Sequence, residues 1–193
     1  MTTTVNIIYT ELTAKYFKQV IELGNQVHGD GYLNQQNIAD WAAQGISNGI
    51  NSGYVALSKE GSNEKLIGFR ITFAAQHWQA DQWCSPKLWQ VTKDECCYFK
   101  CNTVDENYRG LGVGKKLLKL SISAAKKQGA LAGVSHLWKQ SPKNSAVAYF
   151  TQCGGKLVQS HPDKWNEESK QDYNCVLCGH DCHCEAAEMI IYF

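Results

Sequence analysis

Apolar residues recur along the chain with two periods, and the period changes from segment to segment. Residues 5–10 are mostly β-branched or apolar and predict a short strand. Beyond Thr13, a candidate N-cap, apolar residues three and four positions apart predict a helix that ends in the glycines after His28. The same spacing predicts a second helix from about Asn34 to near Gly49.

The centre of the chain predicts strands, and the second half alternates strands with helices. Residues 54–57 and 66–74 predict a hairpin whose connection contains residues 60–63, because small and polar residues separate two apolar runs. Further strands are predicted at 96–104, 134–138, 156–160 and 188–193, and further helices at 113–128 and 144–152. The resulting order, βααβββαβαββ, indicates an α/β domain with a mixed sheet.

Composition narrows the class of protein. The chain has 193 residues, of which 44% are hydrophobic and 19% charged, which is typical of one folded domain and not of a disordered chain. The net charge of +1 argues against general nucleic-acid binding, which relies on a positive field. No apolar run has the length of a membrane helix, and the first residues do not resemble a secretion signal, so we expect a cytoplasmic protein.

Residues 76–94 have no apolar period and contain Trp78, Trp83 and Trp89. That is too much aromatic surface for a solvated linker. We therefore expect this segment to pack against the rest of the protein.

A run of glycines follows the strand predicted at 96–104. Gly112 and Gly114 have no Cβ, so the backbone can approach a diphosphate, and the first amides of the next helix point toward it at the positive end of the helix dipole. Lys115 and Lys116 add positive charge, and Arg109 is one of only two arginines in the chain. The position of this pattern between a strand and a helix indicates a phosphate-binding turn; a glycine turn with a purely structural role is the alternative.

The chain resembles the GNAT superfamily of acyl-CoA-dependent N-acetyltransferases at Val104-Asp105, Tyr108-Arg109-Gly110, Gly112-Val113-Gly114 and the segment NSAVAYFTQCG at 144–154. The resemblance extends over nearly the whole chain. It implies one N-acetyltransferase domain over residues 1–193 and a mixed, mostly antiparallel sheet flanked by helices. It also implies acetyl-CoA bound where the fourth and fifth strands splay apart. The residues that it implies for the cofactor are Val104, Arg109, Gly110, Leu111, Gly112, Val113, Gly114, Lys115 and Asn144.

The resemblance also implies an acid that protonates the CoA thiolate. Family members often carry a tyrosine four residues before the glycine that ends the second helix of the resemblance, where this chain has Phe150. The neighbouring Tyr149 is therefore the candidate acid, with packing as the alternative. One residue turns a helix by about 100°, so Tyr149 reaches the thiol only if the helix register or the preceding loop differs.

The acceptor amine must lose a proton, and a carboxylate is the usual base for that step. Glu95, at the start of the fourth strand, is the candidate base. Asp94, Glu106 and His136 are the alternatives, with surface solvation or core packing as the competing interpretation.

Four cysteines and two histidines lie within ten residues between the last two strands, in an insertion at about 164–184. Thiolates are ligands that zinc prefers, so Cys175, Cys178, Cys182 and Cys184 are candidate ligands of one structural zinc, and His180 or His183 can replace a sulfur. A reduced loop and a redox-active pair are the alternatives. The odd total of nine cysteines argues against a fully paired disulfide framework.

The resemblance implies transfer of an acetyl group from acetyl-CoA to a primary amine of a small molecule or protein, by direct attack in a ternary complex. The acceptor is expected between the first two helices, near residues 28–34, and the tryptophan segment. A non-catalytic acyl-CoA sensor and a zinc-stabilised interaction module are the rival functions. The sequence does not decide between a monomer and a homodimer.

Overall fold

A computed structural model describes residues 6–60, 63–171 and 173–193 of the chain. Seven strands form one sheet: β1 (Asn6–Glu11), β2 (Tyr54–Glu60), β3 (Asn63–Phe73), β4 (Cys96–Val104), β5 (Ala132–Trp138), β6 (Lys156–His161) and β7 (Ala186–Tyr192). Five helices accompany them: α1 (Phe17–His28), α2 (Gln35–Gln44), α3 (Val113–Lys127), α4 (Ser145–Gln152) and α5 (Asn166–Gln171). Val5 of the first predicted strand and the predicted hairpin residues 61–62 lie outside the described residues.

The sheet has the order β1-β2-β3-β4-β5-β7-β6. Every neighbouring pair is antiparallel except β4 and β5, which are parallel and are joined by α3. The predicted fold class, a mixed and mostly antiparallel sheet flanked by helices, is confirmed.

Helices cover both faces of the sheet. Val20 of α1 and Ile38 of α2 belong to one apolar core with Phe69 of β3, whereas Leu118 of α3 and Phe150 of α4 belong to a second core. Because β3 is covered on both faces, its side chains from Leu66 to Phe73 are all buried. The strand therefore has an almost continuous apolar run.

The predicted element order missed two features. Helix α2 ends at Gln44 and not near Gly49, because Ile46–Ser47 turns back and pairs with Ile50–Asn51 through a turn in which Asn48 and Gly49 have positive φ. The short helix α5 was also missed. Its sequence, NEESKQ, buries only Ser169, so it has no apolar period to detect.

The tryptophan segment packs against the sheet as predicted. Trp78 and Trp89 are each 6% exposed. The indole of Trp78 donates to the carbonyl oxygen of Cys96 at 2.9 Å, and that of Trp89 donates to Glu188 Oε1 at 2.9 Å. These bonds attach the segment to both β4 and β7.

Strands β4 and β5 separate part-way along their length. They pair only at three positions, from Cys96 with Ala132 to Tyr98 with Val134. One residue further, Ser135 Oγ donates to the carbonyl oxygen of Phe99 at 2.8 Å, and no further β4–β5 pair is formed within the described residues. Beyond Tyr98 the backbone of β4 therefore has no partner strand on its β5 side.

Candidate active site

A cavity of about 420 Å³ opens where β4 and β5 separate. Its walls come from the end of α1, from β3, β4 and β5, from the glycine turn, from α4, and from the cysteine-rich insertion. The cavity therefore joins segments that are far apart in sequence, and most of the candidate site residues lie on it.

The glycine turn forms the end of the cavity next to α3. Gly110 and Gly112 have φ values of +82° and +78°, a region that side-chain-bearing residues rarely adopt. Gly112 is the N-cap of α3, so the unpaired first amides of that helix adjoin the cavity. A Cβ added at either glycine meets nothing within 4 Å, which leaves open space beside the backbone.

Most of the predicted cofactor residues line this cavity. They are Val104, Arg109, Gly110, Gly112, Val113, Gly114 and Lys115. Leu111, which is 55% exposed, and Asn144, which has a left-handed conformation before α4, are not among the lining residues. For these two, the structure provides no contact with the cavity.

Asn102 of β4 supplies a polar group that sequence reasoning missed. Its side chain lines the cavity, and its buried Oδ1 has no hydrogen-bond partner among the described residues. A buried acceptor without a partner is costly, so a ligand N–H would stabilise it. Together with the amides and open space of the glycine turn, this atom fits a ligand that has both a phosphate group and amide groups, as acetyl-CoA does.

Tyr149 faces the cavity, whereas Phe150 does not. Phe150 is fully buried and packs against Phe99 with a ring distance of 5.9 Å. Tyr149 lines the cavity, and its hydroxyl accepts a 2.8 Å hydrogen bond from Nη1 of Arg70 on β3. The helix register therefore places the tyrosine and not the phenylalanine beside the separated strands.

Arg70 is the second of the two arginines and was not among the predicted site residues. It is 1% exposed, and its guanidinium lies over the Phe99 ring at 4.5 Å. Burial raises the pKa of Tyr149, whereas the charge and hydrogen bond of Arg70 lower it. In the sequence, a charged residue within an otherwise apolar strand is the feature that could have identified Arg70 as a site residue.

Tyr98 and His136 form a pair at the point where the strands separate. The Tyr98 hydroxyl lies 3.0 Å from His136 Nδ1, and His136 Nε2 lies 2.6 Å from the carbonyl oxygen of Trp83. A carbonyl only accepts, so Nε2 carries the proton and Nδ1 accepts from Tyr98. Burial and the nearby Lys164 lower the pKa of His136 to about 4, so this imidazole is neutral at pH 7.

His136 also lies beside His161 and Glu188, all three buried and with ligand atoms within 4.8 Å of one another. Glu188 accepts hydrogen bonds from His161 Nε2 at 3.0 Å, from the Ser85 amide at 2.8 Å and from the Trp89 indole. Since these atoms already have protein partners, the cluster is a hydrogen-bonded network that attaches the tryptophan segment to β7.

The structure does not support the carboxylates that were expected to act as base. Glu95 accepts bonds from the Thr92 amide at 2.9 Å and from Thr92 Oγ1 at 2.8 Å, which caps the short turn before β4. Glu95, Asp94 and Glu106 are absent from the cavity walls. The prediction of Glu95 lacks geometric support because its carboxylate serves this local cap outside the cavity.

The four cysteines of the insertion converge. The sulfurs of Cys175, Cys178, Cys182 and Cys184 all lie within 4.8 Å of one another, and those of Cys178 and Cys184 are 3.7 Å apart. Cys175 and Gly179 form an isolated bridge, which closes the first pair into a tight turn. All nine cysteines are free thiols.

The two histidines of the insertion make other contacts. His180 Nδ1 lies 3.0 Å from the carbonyl oxygen of Ser169. His183 contacts the carboxylates of Asp163 at 2.8 Å and Asp181 at 3.2 Å. Neither histidine belongs to the group of converging ligand atoms. The candidate metal ligands are therefore four sulfurs and no imidazole nitrogen.

The insertion also contacts the loop after α1. The amide of Asn174 donates to the carbonyl oxygen of Asp30 at 3.0 Å, and that of Val176 donates to His28 at 3.3 Å. Cys175, Cys182 and Cys184 line the cavity beside this contact. The cysteine cluster therefore supports the wall where the acceptor is expected.

The comparisons with known proteins agree with this geometry. The model of the acetyltransferase (GNAT) family matches residues 22–155, well over half of the chain. The chain belongs to the GNAT family. No curated protein sequence matches the chain.

Among solved structures, this GNAT chain is similar to a NatC complex bound to Gag peptide and CoA (14% identity, TM-score 0.67, covering 97% of this chain and 99% of that one). It is also similar to yncA from Salmonella typhimurium, solved with its cofactor acetyl-CoA (14% identity, TM-score 0.65, covering 96% of this chain and 93% of that one). A third similar structure is the ribosomal-protein-S18-alanine N-acetyltransferase from Escherichia coli (12% identity, TM-score 0.64, covering 97% of this chain and 94% of that one). At these identities the likeness shows the shared fold.

In the part of the chain that the structure describes, no helix is both long and apolar enough to cross a membrane.

Proposed function

We propose that this GNAT chain transfers an acetyl group from acetyl-CoA to a primary amine of a small molecule or protein, by direct attack in a ternary complex. One observation carries the proposal: a single cavity joins the glycine turn to two candidate proton-transfer groups, Tyr149 and the Tyr98–His136 pair. Acetyl-CoA supplies the activated acetyl group when bound.

Several groups of the chain fit parts of this cosubstrate. The amides at the start of α3 and the nearby Lys115 would hold the pyrophosphate, and Asn102 Oδ1 would accept from an amide of the pantetheine arm. The backbone of β4 beyond Tyr98 has no partner strand on the β5 side, so its amides are available to polarise a thioester carbonyl. Much of the rate enhancement would come from positioning.

The Tyr98–His136 pair is the best-placed base. Because His136 Nδ1 accepts the Tyr98 proton, the phenol oxygen keeps lone pairs that can accept a hydrogen from the attacking amine. Proton transfer would then run from the amine to Tyr98 and from Tyr98 to His136 as the C–N bond forms. The attacking nitrogen becomes acidic at that stage, whereas an imidazole with a pKa of about 4 is too weak a base before it. The hydrogen bond to Trp83 keeps the imidazole in the tautomer that this relay requires.

Tyr149 is the proposed acid for the leaving thiolate. A phenol that gives up its proton becomes an anion, and the adjacent Arg70 guanidinium stabilises that anion in the buried site. Arg70 thus acts as a positioning residue that also offsets part of the effect of burial, which on balance raises the pKa of Tyr149.

The function is tested by following CoA release with a thiol reagent over chemically distinct amines. Acetyl-CoA-dependent turnover that falls in Tyr98→Phe, with CoA affinity retained, supports the proposal. Tyr192→Phe is the matched control, since among the described residues its hydroxyl accepts one hydrogen bond, from the Gln90 amide at 3.4 Å, and Tyr192 does not line the cavity. Tight CoA binding without turnover of any amine would instead favour the sensor alternative.

We also propose that the four cysteines bind one structural zinc ion. Sulfurs held at 2.3 Å from a tetrahedral zinc lie about 3.8 Å apart, close to the 3.7 Å between Cys178 and Cys184. Four protein ligands leave no open position, which is typical of a structural and not a catalytic site. The ion would stabilise the insertion against the loop after α1, and the expected cytoplasmic location would keep the thiols reduced.

A further inference from the structure

Two lysines lie inside the wall that faces the acceptor. Lys164 is 6% exposed, and Lys100 is the β4 residue at which the β3–β4 register shifts. Both line the main cavity and also a second cavity of about 320 Å³ formed with the tryptophan segment. Tyr98 borders both cavities as well, so both lysines share these walls with the proposed base.

Neither ammonium has a hydrogen bond to a protein acceptor among the described residues. Lys164 Nζ lies 3.7 Å from Asp81 Oδ2, beyond ordinary hydrogen-bond distance, and Asp81 is half exposed. Lys164 Nζ also lies 5.9 Å from the ring centres of Trp83 and Trp165. Lys100 Nζ lies 4.5 Å from the centre of the Trp41 ring.

Such cations are incompletely compensated. Aromatic faces attract an ammonium group but satisfy none of its three N–H donors. Burial lowers the pKa of Lys100, which reflects the cost of holding that charge away from water. An anion placed between the two lysines would satisfy both and recover this cost.

The same wall contains two opposite charges, Asp81 beside Lys164 and Glu168 of α5. Glu168 of α5 lines both cavities and, within the described residues, forms no ion pair or hydrogen bond. The wall therefore has a cationic part and an anionic part. That arrangement matches a molecule that carries both a carboxylate and an ammonium group.

We infer that the acceptor is an amino-acid-like zwitterion, whose carboxylate is bound by Lys100 and Lys164 while its amine faces Tyr98. This inference rests on the proposed acetyltransferase function and names its substrate class. Glu168 attracts the ammonium form as the acceptor enters. The second cavity, at about 320 Å³, has room for a small molecule of this kind.

The test compares acceptors that differ only by a carboxylate, such as tyrosine with tyramine and lysine with cadaverine. In the wild type, we expect kcat/KM to be at least about 10-fold higher for the carboxylate-bearing member, the effect of one charge-assisted contact. Lys100→Met and Lys164→Met keep the length and apolar contact of the side chain but remove the charge, and should bring the ratio near unity. Lys127→Met, an exposed lysine on α3, is the matched control.

Two outcomes would overturn the inference while leaving the acetyltransferase function intact: equal or faster turnover of the decarboxylated amines, or an unchanged ratio in both lysine variants. If no amine is acetylated, the proposed function itself fails. Calorimetric titration of the amino acids into the CoA-bound chain then still tests the lysine site, because binding lost in Lys164→Met supports it and absence of binding contradicts it.

Discussion

Arg70 on β3 donates a 2.8 Å hydrogen bond to the hydroxyl of Tyr149 on α4, although the two residues are 79 positions apart in the chain. The bond places a fully buried cation against the phenol that faces the separated strands. It thereby distinguishes Tyr149 from the adjacent Phe150, which packs in the core. The proposed acid is thus held and electrostatically supported by one side chain.

Replacing Tyr149 should separate chemistry from cosubstrate binding. Tyr149→Phe removes the proton donor but keeps the ring, so kcat should fall by about 10²-fold with CoA affinity nearly unchanged. Steady-state kinetics and calorimetric titration measure the two quantities. A variant that retains full kcat would assign Tyr149 to packing alone.

Replacing Gly112 should weaken CoA binding specifically. Gly112→Val introduces a branched side chain into the open space beside the α3 amides, and we expect CoA affinity to fall more than about 10-fold. Gly129→Val is the matched control: Gly129 follows the other end of α3, has φ of +98°, and is equally free of neighbours. Both variants carry backbone strain, so equal CoA affinities in the two folded proteins would remove the glycine turn from the cofactor site.

Half-buried His28 and buried His136 should remain neutral well below neutral pH. Burial, with a contribution from Arg109, lowers the pKa of His28 to about 4, and burial with Lys164 does the same for His136. NMR titration of the ring protons, assigned with His28→Asn and His136→Gln, should show both rings unprotonated at pH 5. A ring that titrates near its unperturbed value of about 6.5 would contradict its burial.

The lowered pKa values of His28 and His136 also make the free energy of unfolding depend on pH. Between about pH 6.5 and pH 4 the unfolded chain binds protons at His28 and His136 that the folded chain does not. Each histidine should therefore reduce the free energy of unfolding by about 1.4 kcal/mol per pH unit as the pH falls through this window. Denaturant unfolding at several pH values measures the slope, which should be smaller in either single variant.

Metal analysis tests the cysteine cluster. Protein purified without chelator should contain about one zinc per chain, and Cys175→Ser combined with Cys178→Ser should contain almost none. Because the insertion bonds to the backbone of His28 and Asp30, loss of zinc should raise the KM for the acceptor while the glycine turn still binds CoA. Cys153→Ser, which changes a free cysteine outside the cluster, should retain the metal. A wild-type chain without zinc, with four reactive thiols in the insertion, would show that the cysteines are simply reduced.

Local patterns in the sequence determined those elements whose important residues are neighbours in the chain. The strand at Cys96–Val104 and the start of α3 at Val113 were predicted from a run of neighbouring residues, and the structure confirms them. The cysteines are also close in sequence, and they converge because the chain turns back on itself at the Cys175–Gly179 bridge. The capping box of Thr92 and Glu95 was also visible in the sequence, and recognising it would have removed Glu95 as the candidate base.

The tertiary structure alone decided how the reactive groups meet. Tyr98 reaches His136 because parallel strands pair Tyr98 with Val134 and then separate, a register that no local pattern specifies. Arg70 reaches Tyr149, and Lys100 and Lys164 share a wall, only after β3, β4 and the insertion have packed together. Sequence periodicity reports which side of an element is buried, because burial repeats with the element's own geometry. It contains no information about which buried polar group lies opposite, because that depends on strand register and helix packing set by distant parts of the chain.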